Sequence, residues 1–413
     1  MRRVVITGLG AITPAGNTIP TMWQALRAGQ SGIRAITRFD AGELPIRIAG
    51  EVQDFILDAA VDTREARRMS LYVQYALNAT LEAVRDARLD MSRVDREQVG
   101  VVFGTGAGGL DLIFEQHKTY IERGYRRVAP TLIANMVSDA ASGHIAIQLG
   151  AKGPNMAILA ACSTGGHNIG EGYEIVRRGD AEIIIAGSSE APIHPTIMAS
   201  FINMRGLDND AEHPEKACKP FDMRRNGFIL SEGAGAVVLE SLDHARARNA
   251  PIIAEVIGHG SSNDAVDMVA ADQNGHGAAR AMQMALRKAG IEPTEVDYVN
   301  AHGTGTPLND RSETLAIKTA FGSHAYQLAI SSTKSMLGHM MGAAGAVEAI
   351  VCALAIRDGQ IPPTINLAQP DPDCDLDYVP NVMREVPIRV ALSNSIGLGG
   401  HNSALLLQRY SPA

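Results

Sequence analysis

The sequence predicts an α/β protein with largely buried sheets. Short β-branched runs alternate with helical segments along the whole chain, the signature of sheets covered by helices. Of its 413 residues 46% are hydrophobic and 20% charged, a globular balance that excludes a disordered or fibrous chain. Aromatics are 4% while glycine reaches 41 residues. Small and aliphatic side chains must therefore pack the core, with close backbone approaches at glycine.

Each element follows from its local pattern. The chain opens on a strand, Arg3–Thr7: two arginines precede an apolar run that breaks at once at glycine and proline, which a signal peptide would not do. A helix is expected over Met69–Ala87, then the strand Val99–Phe103, a glycine-rich turn at Gly104–Gly109 and the helix Leu110–Arg123. The strand Ala157–Ala160 runs into the helix Gly165–Arg178. Strands Glu182–Ala186 and Ala236–Leu239 follow, and the polar stretch His244–Asn249 is the best boundary in the chain. Two similarly built halves would run from 1 to 250 and from 251 to 413. The second half reads as strand Ile252–Ile257, helix Gly277–Ala289, strand Val296–Val299, helix Arg311–Ala320, strand Leu328–Ser331, helix Gly342–Ile356 and strands Val390–Ser393 and Ala404–Leu407. The Gly342–Ile356 segment is crowded with Gly and Ala and carries Glu348, which fits a buried helix better than a membrane span.

With 37 Lys and Arg against 45 Asp and Glu, the formal charge is −8, and a broad nucleic-acid-binding surface is not expected. None of the four cysteines, Cys162, Cys218, Cys352 and Cys374, forms a C-x-x-C pair. Neither a zinc ribbon nor a disulfide scaffold is indicated, and a cytoplasmic protein with reduced thiols is expected.

Five segments are candidates for chemistry. Gly104-Thr105-Gly106-Ala107-Gly108-Gly109 matches the dinucleotide pattern, but no strand ending in an acidic residue follows at the right distance, so a tight strand-to-helix turn is the better reading. Cys162 lies where an apolar strand turns into a helix, in Ala161-Cys162-Ser163-Thr164-Gly165. A thiol there meets the positive end of a helix dipole, which would lower its pKa, and the outward N–H groups could hold an oxyanion. The other three cysteines read as structural. His302, in Asn300-Ala301-His302-Gly303-Thr304-Gly305-Thr306-Pro307, and His339, in Ser332-Thr333-Lys334-Ser335-Met336-Leu337-Gly338-His339, both occupy loops after strands, where α/β folds place function. A zinc site of these residues ranks lower, because no carboxylate stands beside either histidine in sequence. Glu348 in its apolar helix must be paired or protonated, and Lys334 is the nearest cationic candidate. Gly397-Leu398-Gly399-Gly400 is a glycine loop suited to backbone donation or movement.

At these residues the chain resembles the elongating β-ketoacyl-[acyl-carrier-protein] synthases of type II fatty-acid synthesis. Pro220-Phe221-Asp222 and Ser231-Glu232-Gly233-Ala234-Gly235 fall in the same order as in that family, and the likeness spans essentially the whole chain. The resemblance implies a thiolase-like fold, two similar αβα halves packed as five αβαβα layers. It implies decarboxylative condensation of malonyl carrier protein with a cysteine-bound acyl group. Cys162 would be the acyl acceptor, His302 and His339 the pair that binds the malonyl thioester carbonyl, Lys334 the essential lysine and Glu348 its buried partner. The backbone N–H groups of Cys162 and Leu398 would form the oxyanion hole. Thr304, Thr306, Ile396 and Leu398 would line the phosphopantetheine channel. No metal or organic cofactor is implied beyond the phosphopantetheine arriving on the carrier.

The resemblance further implies a homodimer, joined through the strand before the nucleophile, and acyl carrier protein as partner. Arg67, Arg68, Arg126, Arg127 and Arg205 match the family's docking positions; neither nucleic acid nor membrane is an expected partner. One departure stands out: type II members usually carry phenylalanine where Ile396 and Leu398 stand. Leucine keeps the backbone donor and removes an aromatic lid. A polyketide ketosynthase shares every catalytic residue and is the alternative. A degradative thiolase would need a second active-site cysteine, and Cys352 and Cys374 lie in the wrong contexts.

Overall fold

The computed structural model describes residues 1–208, 210 and 212–412. Its strands are β1 (Val4–Ile12), β2 (Arg34–Ala35), β3 (Ile48–Ala49), β4 (Val99–Gly104), β5 (Asn155–Met156), β6 (Ile183–Glu190) and β7 (Gly233–Ser241) in the first half. In the second they are β8 (Ala254–Asn263), β9 (Tyr298–Asn300), β10 (Ala329–Ser331), β11 (Gln360–Ile361), β12 (Arg384–Glu385), β13 (Val390–Gly397) and β14 (His401–Gln408). Ten of them form one sheet in the order β10-β9-β13-β14-β8-β1-β7-β6-β4-β5, while β2/β3 and β11/β12 are separate pairs.

The ten-stranded sheet is one pattern written twice. In the first half β4 pairs β5 and β6 in parallel, then β6/β7 and β7/β1 run antiparallel. In the second half β9 pairs β10 and β13 in parallel, then β13/β14 and β14/β8 run antiparallel. The two sets join edge to edge through β1 and β8, at Val4↔Val256, Val5↔Glu255 and Ile6↔Ala254.

Two helices fill the space between the sets. Thr164–Arg178 and Ala344–Asp358 each pack on strands of both halves and on each other. Every residue from Ala344 to Ile356 is buried, as a helix covered on all sides must be. Close approach demands glycine at their starts: a Cβ on Gly165 would lie 2.2 Å from the Ala346 nitrogen, and one on Gly345 2.8 Å from the Gly166 nitrogen. Outside, Leu71–Asp86 covers β1 and β7, and His276–Ala289 covers β8 and β14. The result is five layers, αβαβα, and among the described residues no helix is long and apolar enough to cross a membrane.

The expected strands and helices form, with one correction. Residues 157–160 are not a strand; pairing stops at Met156. Side chains of the following helix take over the backbone. The Asn168 amide exchanges hydrogen bonds with Ile158 at 3.1 and 2.9 Å, and the Ala160 N–H donates to Thr164 Oγ1 at 2.9 Å. The helix Ile19–Arg27 was not anticipated; it carries a proline in its first turn, where a missing N–H costs nothing.

Candidate active site

Cys162 sits in a tight turn, Ala161–Ser163, that feeds the Thr164–Arg178 helix. Ala161 adopts φ +47°, a left-handed conformation that costs a residue with a Cβ and lifts the next side chain out of line. The end of β13 is pressed against this elbow: a Cβ on Gly397 would lie 2.7 Å from the Ala160 carbonyl and 3.2 Å from the Cys162 nitrogen. The backbone N–H groups of Leu398 and of Cys162 itself both pull the thiol pKa down. The expected low thiol pKa is not found. Burial pushes the Cys162 thiol up to about 11, outweighing the Leu398 N–H and the Lys334 charge that pull it down. Burial likewise pushes Cys218 and Cys374 up to about 12 and Cys352 further still, and none of these three lies at a strand-to-helix elbow.

β9 delivers His302. Its backbone is held by Glu313, which accepts the His302 and Gly303 N–H groups, each at 2.7 Å, and the Asn394 amide at 2.6 Å. A carboxylate thus does stand beside this histidine, on the main chain and not on the ring. Burial raises the Glu313 carboxyl to about 7. Lys334 donates to His302 Nδ1 at 3.3 Å, which assigns the ring proton to Nε2. His339 is fixed by its N–H to the Ile229 carbonyl at 2.7 Å and packs edge-on to Phe228. The two imidazoles meet edge to face with centroids 5.2 Å apart. Burial first, then the Lys334 charge, holds both well below the usual histidine range, so both rings are neutral at pH 7.

Behind them Lys334 and Glu348 form a fully buried ion pair. Burial pushes the Glu348 carboxyl up and Lys334 pulls it down, and its second oxygen has no partner among the described residues. The loop after His302 is shaped by Gly305, at φ +83°, whose N–H donates to Asp310 at 3.2 Å. The Thr304 and Thr306 hydroxyls lie 3.0 Å apart.

Cys162, His302, His339, Thr304, Thr306, Ile396 and Leu398 all line one cavity of about 270 Å³. Sequence reasoning missed its apolar side, Phe201, Phe228, Val269 and Met341. It also missed Glu313 and Asn394, although two buried acids three apart at a helix start, Asp310 and Glu313, point back to the preceding loop. Arg67, Arg68, Arg126, Arg127 and Arg205 are all exposed. Arg68 pairs with Glu65, Arg126 lies against Tyr125, and Arg205 adjoins Met204 and Gly206 of the cavity wall.

Residues 1–245 match the family described as beta-ketoacyl synthase, N-terminal domain, and residues 253–368 match beta-ketoacyl synthase, C-terminal domain. The chain belongs to the beta-ketoacyl synthase family. Among curated family members, it is 46% identical to a 3-oxoacyl-[acyl-carrier-protein] synthase 2 of Staphylococcus aureus strain COL over 409 residues, 99% of each chain. It is 47% identical to one of Coxiella burnetii over 408 residues, again 99% of each. Among solved structures, a beta-ketoacyl synthase from Burkholderia phymatum superposes with TM-score 0.93 at 32% identity, covering both chains in full. The ketosynthase of a type II polyketide system, solved with its acyl-carrier protein, superposes with TM-score 0.92 at 34% identity, covering 99% of this chain and 100% of that one. The αβαβα layers are therefore the thiolase-like fold expected from the sequence.

Proposed function

We propose that this condensing acyltransferase is a 3-oxoacyl-[acyl-carrier-protein] synthase of fatty-acid elongation. The observation that carries the reading is the convergence, on one cavity, of a cysteine at a helix-starting elbow and of two neutral histidines.

The chemistry follows from that arrangement. An acyl thioester places its carbonyl oxygen between the Cys162 and Leu398 N–H groups, which are fixed and stabilise the tetrahedral oxyanion without rearranging. The sulfur bonds to the acyl carbon, the thiol proton leaves with the carrier's thiolate, and acyl-Cys162 results. Malonyl carrier protein then enters past Thr304 and Thr306. Its thioester oxygen accepts N–H from His302 Nε2 and from His339. Loss of carbon dioxide leaves an enolate whose charge rests on that oxygen. Neutral imidazoles suit this step, since they donate a hydrogen bond without giving up the proton. The enolate carbon attacks the acyl carbon, the carbon–sulfur bond breaks with its electrons going to Cys162, whose thiolate takes a proton from water, and 3-oxoacyl carrier protein departs. The Lys334–Glu348 pair keeps His302 in the tautomer this requires. The reading assigns no step to a metal or organic cofactor; phosphopantetheine is part of the substrate.

The protein acts in the cytoplasm as a homodimer, and Arg67, Arg68, Arg126, Arg127 and Arg205 dock the acidic carrier, which the overall charge of −8 would otherwise repel. A polyketide-type ketosynthase is the second reading, favoured by the aliphatic gate of Ile396 and Leu398.

Separating the half-reactions tests the assignment. Mass spectrometry of protein exposed to acyl carrier protein should find the acyl group on Cys162 alone and none on Cys162→Ala. His302→Ala and His339→Ala should keep acylation and lose carbon dioxide release by roughly a hundredfold, the scale of one oxyanion donor. Normal release in both variants would remove the enolate role.

A further inference from the structure

The glycine-rich turn that resembles a dinucleotide site holds a carboxylate of the protein's own. Glu190, fully buried at the end of β6, accepts the Thr105 hydroxyl at 2.8 Å and the Gly106 and Ala107 N–H groups at 2.7 and 3.1 Å. A fourth donor comes from the other half of the molecule, the Gly342 N–H at 3.0 Å. Gly342 belongs to the turn that starts the Ala344–Asp358 helix, three residues after His339. That turn copies the nucleophile elbow: Met341 has φ +47°, as does Ala161. There is no slack around the carboxylate. A Cβ on Gly106 would lie 2.7 Å from Glu190 Oε2 and 3.5 Å from the Ala161 carbonyl, and one on Gly342 2.4 Å from the Gly106 nitrogen. Four donors and no cation are at its oxygens among the described residues; burial pushes the carboxyl up and these donors pull it down, an arrangement for an internal ligand.

We infer that Glu190 is a positioning residue of the condensation: its carboxylate fastens the Met341–Gly342 turn to the glycine-rich turn beneath Cys162 and so sets His339 against the nucleophile. The inference rests on the roles given above to Cys162 and His339. It explains why three segments, far apart in sequence, converge on one anion next to the elbow. The charge has a second effect. The groups facing Cys162 are the neutral His302 and His339, Lys334 with Glu348 behind it, and Glu190. Burial raises the thiol most, the Leu398 N–H and the Lys334 charge pull it down, and Glu190 adds a smaller push up.

Two variants of the whole protein separate the tie from the charge. Glu190→Asp keeps the charge and shortens the reach by one methylene. It should leave the pH profile of Cys162 alkylation by iodoacetamide at the wild-type position and slow carbon dioxide release from malonyl carrier protein by roughly a hundredfold, the cost of a group misplaced by about 1 Å. Glu190→Gln should lose release to a similar extent and shift the alkylation profile to lower pH. Wild-type release in Glu190→Asp overturns the inference, as does equal loss of alkylation and release in both variants. If Glu190→Gln fails to fold, Glu190→Asp decides alone. Wild-type protein that neither acylates nor decarboxylates would instead overturn the parent reading.

Discussion

Leu398 serves the site with its backbone and alters it with its side chain. Its N–H pulls the Cys162 thiol pKa down, an effect any residue's backbone could have, while its side chain forms part of the cavity wall with Ile396. The loop beyond is held by Gly399 N–H to the Met268 carbonyl at 2.9 Å and by Asn263 to the Gly399 carbonyl at 2.8 Å. Gly399 and Gly400 have φ +78° and +76°, conformations that glycine adopts without strain. An aliphatic side chain on this loop has no ring to swing across the cavity. Malonyl carrier protein should therefore be decarboxylated measurably without a prior acyl group, and Leu398→Phe should suppress that release while sparing straight-chain condensation. Identical unprimed rates and acyl-chain profiles in the two proteins would show that leucine fills the place of a lid.

At the scale of elements, the central helix pair and the first outer helix each give a test. Gly165 admits no side chain, because its Cβ would meet backbone of the Ala346 region at 2.2 Å and backbone cannot step aside. Gly165→Ala should cost at least roughly 1–3 kcal/mol, the range for overpacking, read as a lower urea midpoint at unchanged m-value. Unaltered stability would mean that the two helices can separate freely. Glu82 ties the Leu71–Asp86 helix to the first strand by accepting the Ala11 N–H at 2.9 Å and the Ile19 N–H at 2.7 Å. Burial raises its carboxyl to about 7, more than those two N–H groups lower it. Between its ordinary value of 4.5 and about 7 the folded chain holds a proton that the unfolded chain has released. Its contribution is complete below 4.5 and is lost as the pH rises through about 7. Wild-type stability should thus fall between pH 5 and 8 relative to Glu82→Gln. A constant difference in urea unfolding free energy across that range would rule out the shift.

The ten-stranded sheet ends in a strand whose outer edge is unpaired among the described residues. β5 pairs β4 on one side through Val101↔Asn155 and Val102↔Met156, closes the sheet order, and is exposed. Met156 and Leu159 are 39% and 49% exposed beside it, and Ile133 is 64% exposed on a nearby stretch of the chain. Open edges with apolar neighbours invite association unless covered. A second copy of this chain covers it in the homodimer proposed above. Sedimentation at micromolar concentration should give about twice the chain mass of 43.8 kDa, and Met156→Asp with Leu159→Asp should return the monomer. A wild-type protein sedimenting at the chain mass would refute the pairing.

Element type was legible wherever a residue's surroundings repeat its local pattern. The Leu110–Arg123 helix has the bounds its sequence implies, and β4, β7, β13 and β14 contain the strands expected of them. Cys162, His302 and His339 were legible as candidates because each lies in a short run of small residues where the chain bends, a local event. Residues 157–160 read as a strand because they are apolar, but their hydrogen bonds go to Asn168 and Thr164, and side-chain capture of backbone leaves no mark in hydropathy. Glu190 and Glu313 read as ordinary acids in a strand and a helix. Their roles come from donors at Gly106, Gly342 and Asn394, which lie 84, 152 and 81 positions away. The thiol was misjudged for the same reason. A helix start is visible in the chain, but burial is created by every segment that closes over the cysteine, and here burial outweighs the dipole. Composition and local turns specify which groups are present and which way the chain bends beneath them. Proton affinity and mutual distance belong to the packed interior, where segments with no sequence relation share one dielectric and one set of hydrogen bonds.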